Sequence, residues 1–537
     1  MVATQDYGLY RSILFRHLDG IVTAPVAYAL YKKGITATLL AEQTVTLDAL
    51  TTSFKANKGY LNVALRMLCS QGWLVQDIDK TSNTVQYRTN SLSEKAFSLF
   101  PLYEDVVRLQ QFSEQFHPRK FAVAPFKMME GIFTKFKERY GLKTATDPVI
   151  TQLQEQVLTH IEGVILGPTI VHLAMGGMFH KYFMQASFKP EEFHTDAENF
   201  KSLLDILVFF GLFNVQNGTY QFTEKGLFYA KRASAYGVTV SYIPTLRKMD
   251  DLLFGNPKAA KEAGDGNKEG HVDRAMNVWG SGGAHSSYFK VVDKIIIHLF
   301  NKPIAEQPKG ILDMGCGNGA FLIHLFNVIE QQTLRGTMLD EHPLILVGAD
   351  YNDAALQITK ANLVQAEIWA KVVWGDIGDP DRLASDLQTN YGVALGDLLN
   401  VRSFLDHNRI WKEPQDIHQE RTSDSTGAYA YEGECLPNHL VEASLLEHFK
   451  QWAPYVSRFG LLVIELHSVS PELVAQNLGK TAVTAYDATH GFSDQYILEV
   501  PVFNKVLAEA GLHADTRLGQ QFPNSDLAAV TVNLFRK

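Results

Sequence analysis

Hydrophobic positions in the second half of the chain fall into short apolar runs, each followed by a polar or glycine-rich stretch. The clearest unit is an apolar run at 311–314, a glycine-rich turn, and a run at 320–326 with helical character. Further apolar runs lie at 344–349, 371–374, 461–466 and 527–535. The fourth strand in chain order precedes the segment 398–409, and the run 461–466 is the fifth. This pattern predicts an α/β domain built on an open sheet.

The first half of the chain carries a different pattern that is weakly repeated, because residues 19–95 match residues 162–230. Each copy has an apolar helix with an internal proline, an amphipathic helix that ends at a glycine, and a short strand; the paired positions are Gly20 and Gly163, Pro25 and Pro168, Gly72 and Gly211. This outline predicts two winged-helix-like repeats. The phenylalanine- and lysine-rich stretch 112–143 is expected to form amphipathic helices that cover the core or act as a lid.

A chain of 537 residues is too long for one hydrophobic core, so more than one domain is expected. The sequence predicts a mostly helical lobe with the duplicated winged helices and lid over 1–255, a linker or mobile loop over 256–270, and the α/β domain over 271–537.

Charge and cysteine content narrow the class of protein. The formal net charge is −9 and no long basic block offsets it, so we expect no nucleic-acid partner. The three cysteines are widely spaced and form no Cys-x-x-Cys motif, which indicates neither a disulfide framework nor a thiolate zinc site. The first residues do not resemble a secretion signal, and we find no uninterrupted apolar run of membrane-spanning length. A soluble cytoplasmic protein without a membrane partner is expected.

The glycine-rich turn has the pattern Asp-x-Gly-x-Gly-x-Gly, formed by Asp313, Gly315, Gly317 and Gly319. Glycine lets the backbone approach a ligand closely, because it has no Cβ and tolerates positive φ. The carboxylate of Asp313 argues against a phosphate at this turn. The simplest alternative is an ordinary tight βα turn without a ligand.

Two further acidic residues follow the next two strands and favour a ligand. Asp350 is placed to accept both ribose hydroxyls, and Asp376 to accept the exocyclic amine of adenine, with Tyr351 and Ile377 beside them. Three acids at successive strand ends, without a P-loop lysine, suit S-adenosylmethionine, a nucleoside with a sulfonium and no phosphate. The arrangement resembles the class I S-adenosylmethionine-dependent methyltransferases, which implies a Rossmann-like sheet.

Chemistry is expected beyond the carboxyl ends of the strands. Asp406 and His407 follow the fourth strand, and His467 ends the fifth. Imidazole, carboxylate and amide oxygen at adjacent loop tips could hold Fe or Mn. For His467 a metal ligand, a general base and a structural histidine all remain open. Upstream, 271–285 is expected to form a glycine-rich bend that carries His285 and could close over the cofactor.

A narrower resemblance rests on five segments: 271–274 with 280–282, 313–317, 402–407, 465–467, and 491–496. They resemble the methyltransferase domains at the start of polyketide-synthase loading modules, as in the saxitoxin and apratoxin pathways. The resemblance implies C-methylation of a malonyl thioester on an acyl carrier protein, with a mononuclear iron or manganese site in at least one member. An acyltransferase-like decarboxylase of the GNAT type is a possible further partner.

The resemblance also suggests site residues. The metal ligands would be His467 and Gln495, with Asp406 as a third, and the metal would stabilise a malonyl enolate. His407 or His285 would remove the proton, and Arg402 completes the candidate catalytic set.

Two rival functions remain. One is a metal-independent small-molecule O-methyltransferase that uses His407 or His467 as base on a phenol or carboxyl oxygen. The other is a winged-helix regulator that keeps a cofactor domain as a sensor.

Overall fold

The computed structural model describes residues 6–112, 116–117, 120–121, 123–143, 145–258, 270–415 and 421–537, and the side chains of all of them except 116–117, 120–121, 123–124 and 283–287. The described chain divides into two compact units. The first contains Met1–Ala284, Ala430–Cys435 and Pro471–Ser493; the second contains His285–Tyr429, Leu436–Ser470 and Asp494–Lys537. Two short segments that the sequence assigns to the α/β domain therefore pack with the first unit. Most of the expected linker, 259–269, lies outside the described residues.

The first unit is mostly helical. Its helices are Tyr7–Lys33, Ile35–Glu42, Leu47–Phe54, Lys58–Ser70, Ser93–Phe97, Glu104–Gln110, Val123–Lys137, Pro148–Met175, Lys181–Gln185, Pro190–Phe193, Ala197–Phe209, Glu224–Ala230, Ser234–Ser241, Ile243–Leu246, Met249–Phe254, Pro471–Ala475 and Val483–Gly491. Its strands are β1 (Thr44–Thr46), β2 (Val75–Asp79), β3 (Thr84–Arg88), β4 (Phe116–His117), β5 (Lys120–Phe121), β6 (Phe213–Gln216) and β7 (Thr219–Phe222).

Both predicted winged-helix repeats are present in the first unit. In the first copy β1, β3 and β2 form an antiparallel sheet in that order, behind the helix Lys58–Ser70. In the second copy β6 pairs with β7, and Phe188 bridges to Tyr220 where the first copy has its third strand. In both copies the amphipathic helix is followed by a glycine at positive φ, Gly72 at 80° and Gly211 at 76°, as the sequence pattern predicts.

The two copies pack against each other through their long helices, Tyr7–Lys33 and Pro148–Met175. A Cβ at Gly20 would overlap the backbone of His160, and a Cβ at Gly163 would overlap the backbone of His17. Two side-chain hydrogen bonds cross between the copies in the same reciprocal way. Nδ1 of His17 lies 2.7 Å from the hydroxyl of Tyr236, and Nδ1 of His160 lies 2.8 Å from the hydroxyl of Tyr103. Each copy thus completes the other, as subunits do in a twofold dimer.

The helix Lys58–Ser70, which would read DNA in a winged-helix transcription factor, is buried from Gly59 to Ser70. The helices Pro471–Ala475 and Val483–Gly491 cover it. Arg66 pairs with Asp487, and Thr484 lies within hydrogen-bond distance of Ser70. This face of the first copy is used for packing within the unit.

Two helices are long and apolar enough to cross a membrane by length and composition, although the sequence analysis found no such run. In Tyr7–Lys33 and Pro148–Met175 the most apolar windows are 78% and 72% buried inside the protein. Both are core helices of the first unit, because each packs its apolar surface on the other and on neighbouring helices.

The helix Val123–Lys137 lies in the stretch expected to cover the core. It buries Phe126, Met129 and Ile132, and its Phe133 ring packs on Phe209 at a centroid distance of 5.1 Å. The helix therefore covers the second winged-helix copy. Residues 113–115, 118–119 and 122 of this stretch lie outside the described part of the chain.

The second unit is an α/β sandwich around one sheet. Its helices are Ala320–Gln332, Asp353–Gln365, Pro380–Tyr391, Asn438–Val456 and Val500–Glu509, together with most of Arg274–Phe300. Its sheet strands are β8 (Gly310–Met314), β9 (Ile345–Asp350), β10 (Lys371–Trp374), β11 (Leu398–Ser403), β14 (Leu461–Leu466), β15 (His513–Ala514), β16 (Gln520–Phe522) and β17 (Val530–Arg536). A separate hairpin, β12 (Tyr429–Tyr431) with β13 (Glu434–Leu436), carries the segment that packs with the first unit.

The sheet order is β10-β9-β8-β11-β14-β17-β15, with β16 also paired to β17. The first five strands are parallel and β17 is antiparallel to β14. The chain reverses direction across the sheet between β8 and β11, which places a crevice at their carboxyl ends. The predicted Rossmann-like fold is confirmed.

One local prediction is wrong. The glycine-rich stretch 280–283 does not form a bend, because the helix Arg274–Phe300 runs through it. A Cβ at Gly280 would meet the backbone of Gly237 and Val238. The glycine therefore permits close packing of two helices and does not turn the chain.

Candidate active site

The acidic residues predicted at successive strand ends lie on one edge of the second unit's sheet. In the register of the parallel strands Asp313 is opposite Gly348, and Asp350 is opposite Trp374. Asp376 follows β10 two residues later. Asp313 is buried, whereas Asp350 and Asp376 are half-buried.

The turn after β8 needs its glycines. Gly315, Gly317 and Gly319 have φ values of 77°, 56° and 78°, which other L-residues rarely adopt. A Cβ at Gly315 would lie 2.9 Å from the side chain of Leu405, whereas the nearest atom to a Cβ at Gly317 is 4.0 Å away. The turn is thus packed on one side and open on the other, as a ligand cradle must be.

Asp350 holds this turn in place. One carboxylate oxygen accepts the Gly317 N–H at 2.9 Å, and the other accepts the Asn352 N–H at 2.9 Å. Each oxygen retains capacity for a second hydrogen bond, which suits the two ribose hydroxyls. Tyr351 is 58% exposed beside it, with its ring 5.5 Å from that of Trp374.

Asp313 has an unmatched carboxylate oxygen. The side chain is 2% exposed, and its Oδ2 has no hydrogen-bond partner among the described residues. Burial, with a smaller contribution from Asp350, raises the pKa of Asp313 to about 7. A buried carboxylate without a partner favours a cationic ligand, and S-adenosylmethionine carries two cationic centres. The residues at this edge therefore fit that cofactor.

The Asp376 loop is fixed from two sides. Asp376 accepts the Gly378 N–H at 2.7 Å, and the Ile377 carbonyl accepts the indole N–H of Trp452 at 2.7 Å. Trp452 is fully buried on the helix Asn438–Val456. Its indole anchors the loop expected to face adenine, a role the sequence analysis did not assign.

His407 and Glu465 form a buried pair next to the glycine turn. Nδ1 of His407 lies 2.5 Å from Oε1 of Glu465, and the two residues are 6% and 1% exposed. Glu465 also accepts the Leu466 N–H at 2.7 Å, which fixes the carboxylate. The carboxylate favours the tautomer with the proton on Nδ1, so Nε2 is the basic nitrogen. Leu405, which packs on Gly315, connects this pair to the cofactor turn.

The other two residues predicted around the fourth strand form an ion pair. Nη1 of Arg402 lies 2.5 Å from Oδ1 of Asp406, which is also 3.0 Å from Nε2 of His448; Arg402 and Asp406 are fully buried. Although burial alone would raise it, the Arg402 guanidinium lowers the pKa of Asp406 to about 2. Arg402 also lies 4.1 Å over the Trp452 ring. Oδ1 of Asp406 is therefore held by cationic and imidazole groups, whereas its Oδ2 has no hydrogen-bond partner among the described residues.

His467 is a structural histidine. Its Nδ1 lies 3.1 Å from the Leu498 carbonyl and its Nε2 lies 2.8 Å from the hydroxyl of Thr531. The residue is fully buried, and burial lowers its pKa to about 4. Both ring nitrogens are engaged, so neither is available to a metal or to a substrate proton.

The three residues proposed as metal ligands differ in how far their side chains are engaged by the protein. Gln495 is buried, and the next residue, Tyr496, donates its N–H to the His407 carbonyl. Both ring nitrogens of His467 and Oδ1 of Asp406 are engaged as described above. Within the described ranges no group of three or more His, Cys, Asp or Glu side chains could hold a metal ion. Both ring nitrogens of His467 are engaged, so this residue does not fit a ligand of Fe or Mn, and the metal roles of Asp406 and Gln495 stay predictions.

His285 cannot be placed at the site. Its backbone lies in the helix Arg274–Phe300, but its side chain is outside the described residues. Its role as an alternative base stays a prediction.

Glu465 is the functional residue that the sequence analysis missed. A signal was present, since a single acid interrupts the apolar run 461–466. An acid inside a buried strand needs a partner, but only the tertiary structure shows that the partner is His407.

Three family models match successive parts of the chain. The AprA N-terminal domain matches residues 10–76, the AprA winged helix domain matches 162–256, and a methyltransferase model described as the AprA MT2-like domain matches 269–533. No curated protein matches the sequence.

Solved structures with similar folds include an O-methyltransferase family protein from Burkholderia thailandensis, with 10% identity, coverage of 73% of this chain and 99% of that one, and a TM-score of 0.42. CalO1, a methyltransferase in calicheamicin biosynthesis in its SAH-bound form, has 14% identity, covers 73% and 99%, and has a TM-score of 0.36. The DszA carbon methyltransferase has 13% identity, covers 68% and 87%, and has a TM-score of 0.32. These likenesses are too distant to bear on what this chain methylates.

The family matches agree with the observed architecture, since the two repeats and the Rossmann-like sheet follow one another as the matched domains do. The chain belongs to the AprA-type S-adenosylmethionine-dependent methyltransferases.

Proposed function

We propose that this methyltransferase transfers a methyl group to the α-carbon of a malonyl thioester carried on an acyl carrier protein, as a step of polyketide biosynthesis. The observation that carries the proposal is the buried His407–Glu465 pair beside the glycine turn. A carbon acid flanked by two carbonyl groups can be deprotonated by a neutral imidazole near pH 7. The choice of substrate is supported by the resemblance to the methyltransferase domains of polyketide-synthase loading modules, with which the AprA-type family match agrees.

S-adenosylmethionine, when bound, supplies an electrophilic methyl group on a sulfonium. Nε2 of His407 takes the α-proton, and Glu465 stabilises the resulting imidazolium. The carbanion electrons form the new carbon–carbon bond to the methyl carbon, while the electrons of the carbon–sulfur bond pass to sulfur. Asp313 and Asp350 hold the methyl donor at the strand ends. No step is routed through a metal, because both ring nitrogens of His467, the favoured ligand, are engaged by the protein.

The same base would serve a small-molecule O-methyltransferase, so the experiment must locate the new methyl group. The enzyme is incubated with S-adenosylmethionine and malonyl-loaded carrier, and the intact carrier is weighed by mass spectrometry. We expect a gain of one or two methyl masses on the carrier, and methylmalonate or dimethylmalonate among the acids released when mild alkali cleaves the thioester. Release of unmethylated malonate from a carrier that had gained mass would indicate a methyl ester and favour O-methylation, and no gain would contradict the proposal.

The role of His407 is tested with His407→Ala and Glu465→Gln. We expect kcat to fall about 10²–10⁴-fold in His407→Ala, and less in Glu465→Gln, because general base catalysis contributes that much. Affinity for S-adenosylmethionine should stay unchanged in both variants. His467→Gln is the matched control, since His467 takes no part in the proposed chemistry. Full activity of His407→Ala would assign the base elsewhere.

We further propose that the enzyme works in the cytoplasm. Its three cysteines, Cys69, Cys316 and Cys435, are free thiols, which fits a reducing compartment. Association with a GNAT-type decarboxylase stays a prediction from the family resemblance.

A further inference from the structure

Arg409 is a buried cation two residues beyond the proposed base. The residue is 6% exposed. Its Nη1 donates to the Asp406 carbonyl at 3.0 Å and its Nη2 to the Val441 carbonyl at 3.4 Å. In the described part of the chain no carboxylate lies within ion-pair distance of this guanidinium.

A buried charge with only neutral partners is costly, and proteins ordinarily pair such a charge. Arg402, on the strand before, follows that rule because it binds Asp406. Arg409 departs from this rule. Burial lowers the pKa of its guanidinium to about 10, while the Tyr496 hydroxyl and the more distant carboxylates of Asp406 and Glu465 act in the opposite direction. The Tyr496 ring, 5.7 Å from the guanidinium carbon, compensates part of the charge.

Arg409 and His407 are held by the same residue. The Tyr496 N–H donates to the His407 carbonyl at 2.8 Å, while the Tyr496 ring lies under Arg409. The Trp411 ring also packs on the Tyr496 ring, edge to face, at a centroid distance of 5.8 Å. Tyr496 therefore links the backbone of the proposed base to the guanidinium of Arg409.

We propose that Arg409 binds the free carboxylate of the acceptor, next to the carbon that is methylated. A guanidinium matches a carboxylate with two parallel hydrogen bonds, and the bonds of Arg409 to the Asp406 and Val441 carbonyls use only two of its five N–H groups. The inference rests on the proposed function and narrows its substrate class to acyl thioesters with a free carboxylate on the α-carbon. Bound substrate would supply the counter-charge that the chain lacks at this point.

The test compares Arg409→Gln and Arg409→Lys with the wild type on two acceptors: malonyl carrier and the carrier bearing the neutral methyl ester of malonyl. We expect Arg409→Gln to raise KM for malonyl carrier about ten- to a hundredfold and to leave KM for the ester unchanged, because a hydrogen bond to a charged group is lost. Arg409→Lys should keep part of the preference. Arg458→Gln, an exposed arginine paired with Asp397, is the control.

Free malonate separates this inference from the proposed function. Malonate binding to the full chain is measured by calorimetry in the wild type and in Arg409→Gln, with S-adenosylmethionine affinity as the check on folding. If malonate binds in an Arg409-dependent way but malonyl carrier is not methylated, the proposed reaction is contradicted and the anion site at Arg409 is supported. Methylation with an unchanged KM in both Arg409 variants would overturn the anion site and leave the reaction standing.

Discussion

Asp313 shows how a single side chain links cofactor binding to pH. Its carboxylate is buried with one oxygen unmatched, and its pKa is raised to about 7 from a usual value near 3.8. The folded enzyme without cofactor therefore favours the protonated acid. A cationic ligand favours the ionised form, so binding and proton release are coupled.

We predict that affinity for S-adenosylmethionine rises between about pH 6 and pH 8, because Asp313 ionises in that window. The folding stability contributed by Asp313 in the absence of cofactor changes with pH in the opposite direction. Because the pKa is higher in the folded than in the unfolded chain, this contribution is fully present below the unfolded pKa, near 3.8, and is lost as pH rises through the folded pKa of about 7. Calorimetric titrations across this range measure the affinity.

Asp313→Asn is the matched variant, since it keeps the shape of the side chain and removes the titration. It should bind the cofactor more weakly and with little pH dependence over the same range. An equally steep pH dependence in this variant would assign the titrating group elsewhere.

The strand-end positions of the proposed cofactor residues could be predicted from the sequence, but the proposed catalytic pair only in part. Asp313 and Asp350 are local to strand ends, so their positions follow from the apolar runs before them. The His407–Glu465 contact joins positions 58 residues apart, and no local pattern encodes it. For His467 the sequence left a metal, base or structural role open for the same reason, because its partner Thr531 is 64 residues away.

Among the elements, glycine has two unlike uses in this chain. In the cofactor turn it permits positive φ, and the Asp-x-Gly-x-Gly-x-Gly spacing predicts that use. In the helices Tyr7–Lys33 and Arg274–Phe300 it permits close approach of a second backbone at Gly20 and Gly280. Spacing in one helix does not reveal what crosses it, so the sequence predicted a bend at 280–283 where the helix continues.

We predict that Gly20→Ala destabilises the protein by about 1–3 kcal/mol, the cost of overpacking a tight contact, because its Cβ would overlap the His160 backbone. Gly131→Ala is the control: Gly131 is also helical, and a Cβ there has no atom within 4 Å. That change should stabilise the protein by about 0.5–1 kcal/mol. Denaturant unfolding measures both, and equal effects would show that the helix crossing is looser than described.

At the scale of the whole molecule, the first unit is a pseudo-dimer made by one chain. The sequence repeat was visible because paired positions keep their glycines and prolines at the same spacing. What it did not show is that the copies exchange side chains, His17 with Tyr236 and His160 with Tyr103. This exchange is a property of the pair and of neither copy alone.

We predict that Tyr103→Phe and Tyr236→Phe have similar effects on stability, about 0.5–1.5 kcal/mol each, because each removes one buried hydrogen bond from an equivalent position. The free energy of unfolding is measured for both in the full chain. Tyr220→Phe, whose hydroxyl lies 2.5 Å from Asp205 within one copy, serves as comparison. A large inequality between the first two variants would contradict the pseudo-symmetry.

The path of the chain between the two units has a consequence for evolution and for engineering. Residues 430–435 and 471–493 leave the methyltransferase fold and return to it, and the second of these segments supplies Asp487 and Thr484 to the first winged-helix copy. Cutting the gene near residue 284 would strip that copy of its covering helices and leave Arg66 buried without its acid. The two units therefore cannot be exchanged as separate cassettes, and recombination that preserves function must move them together.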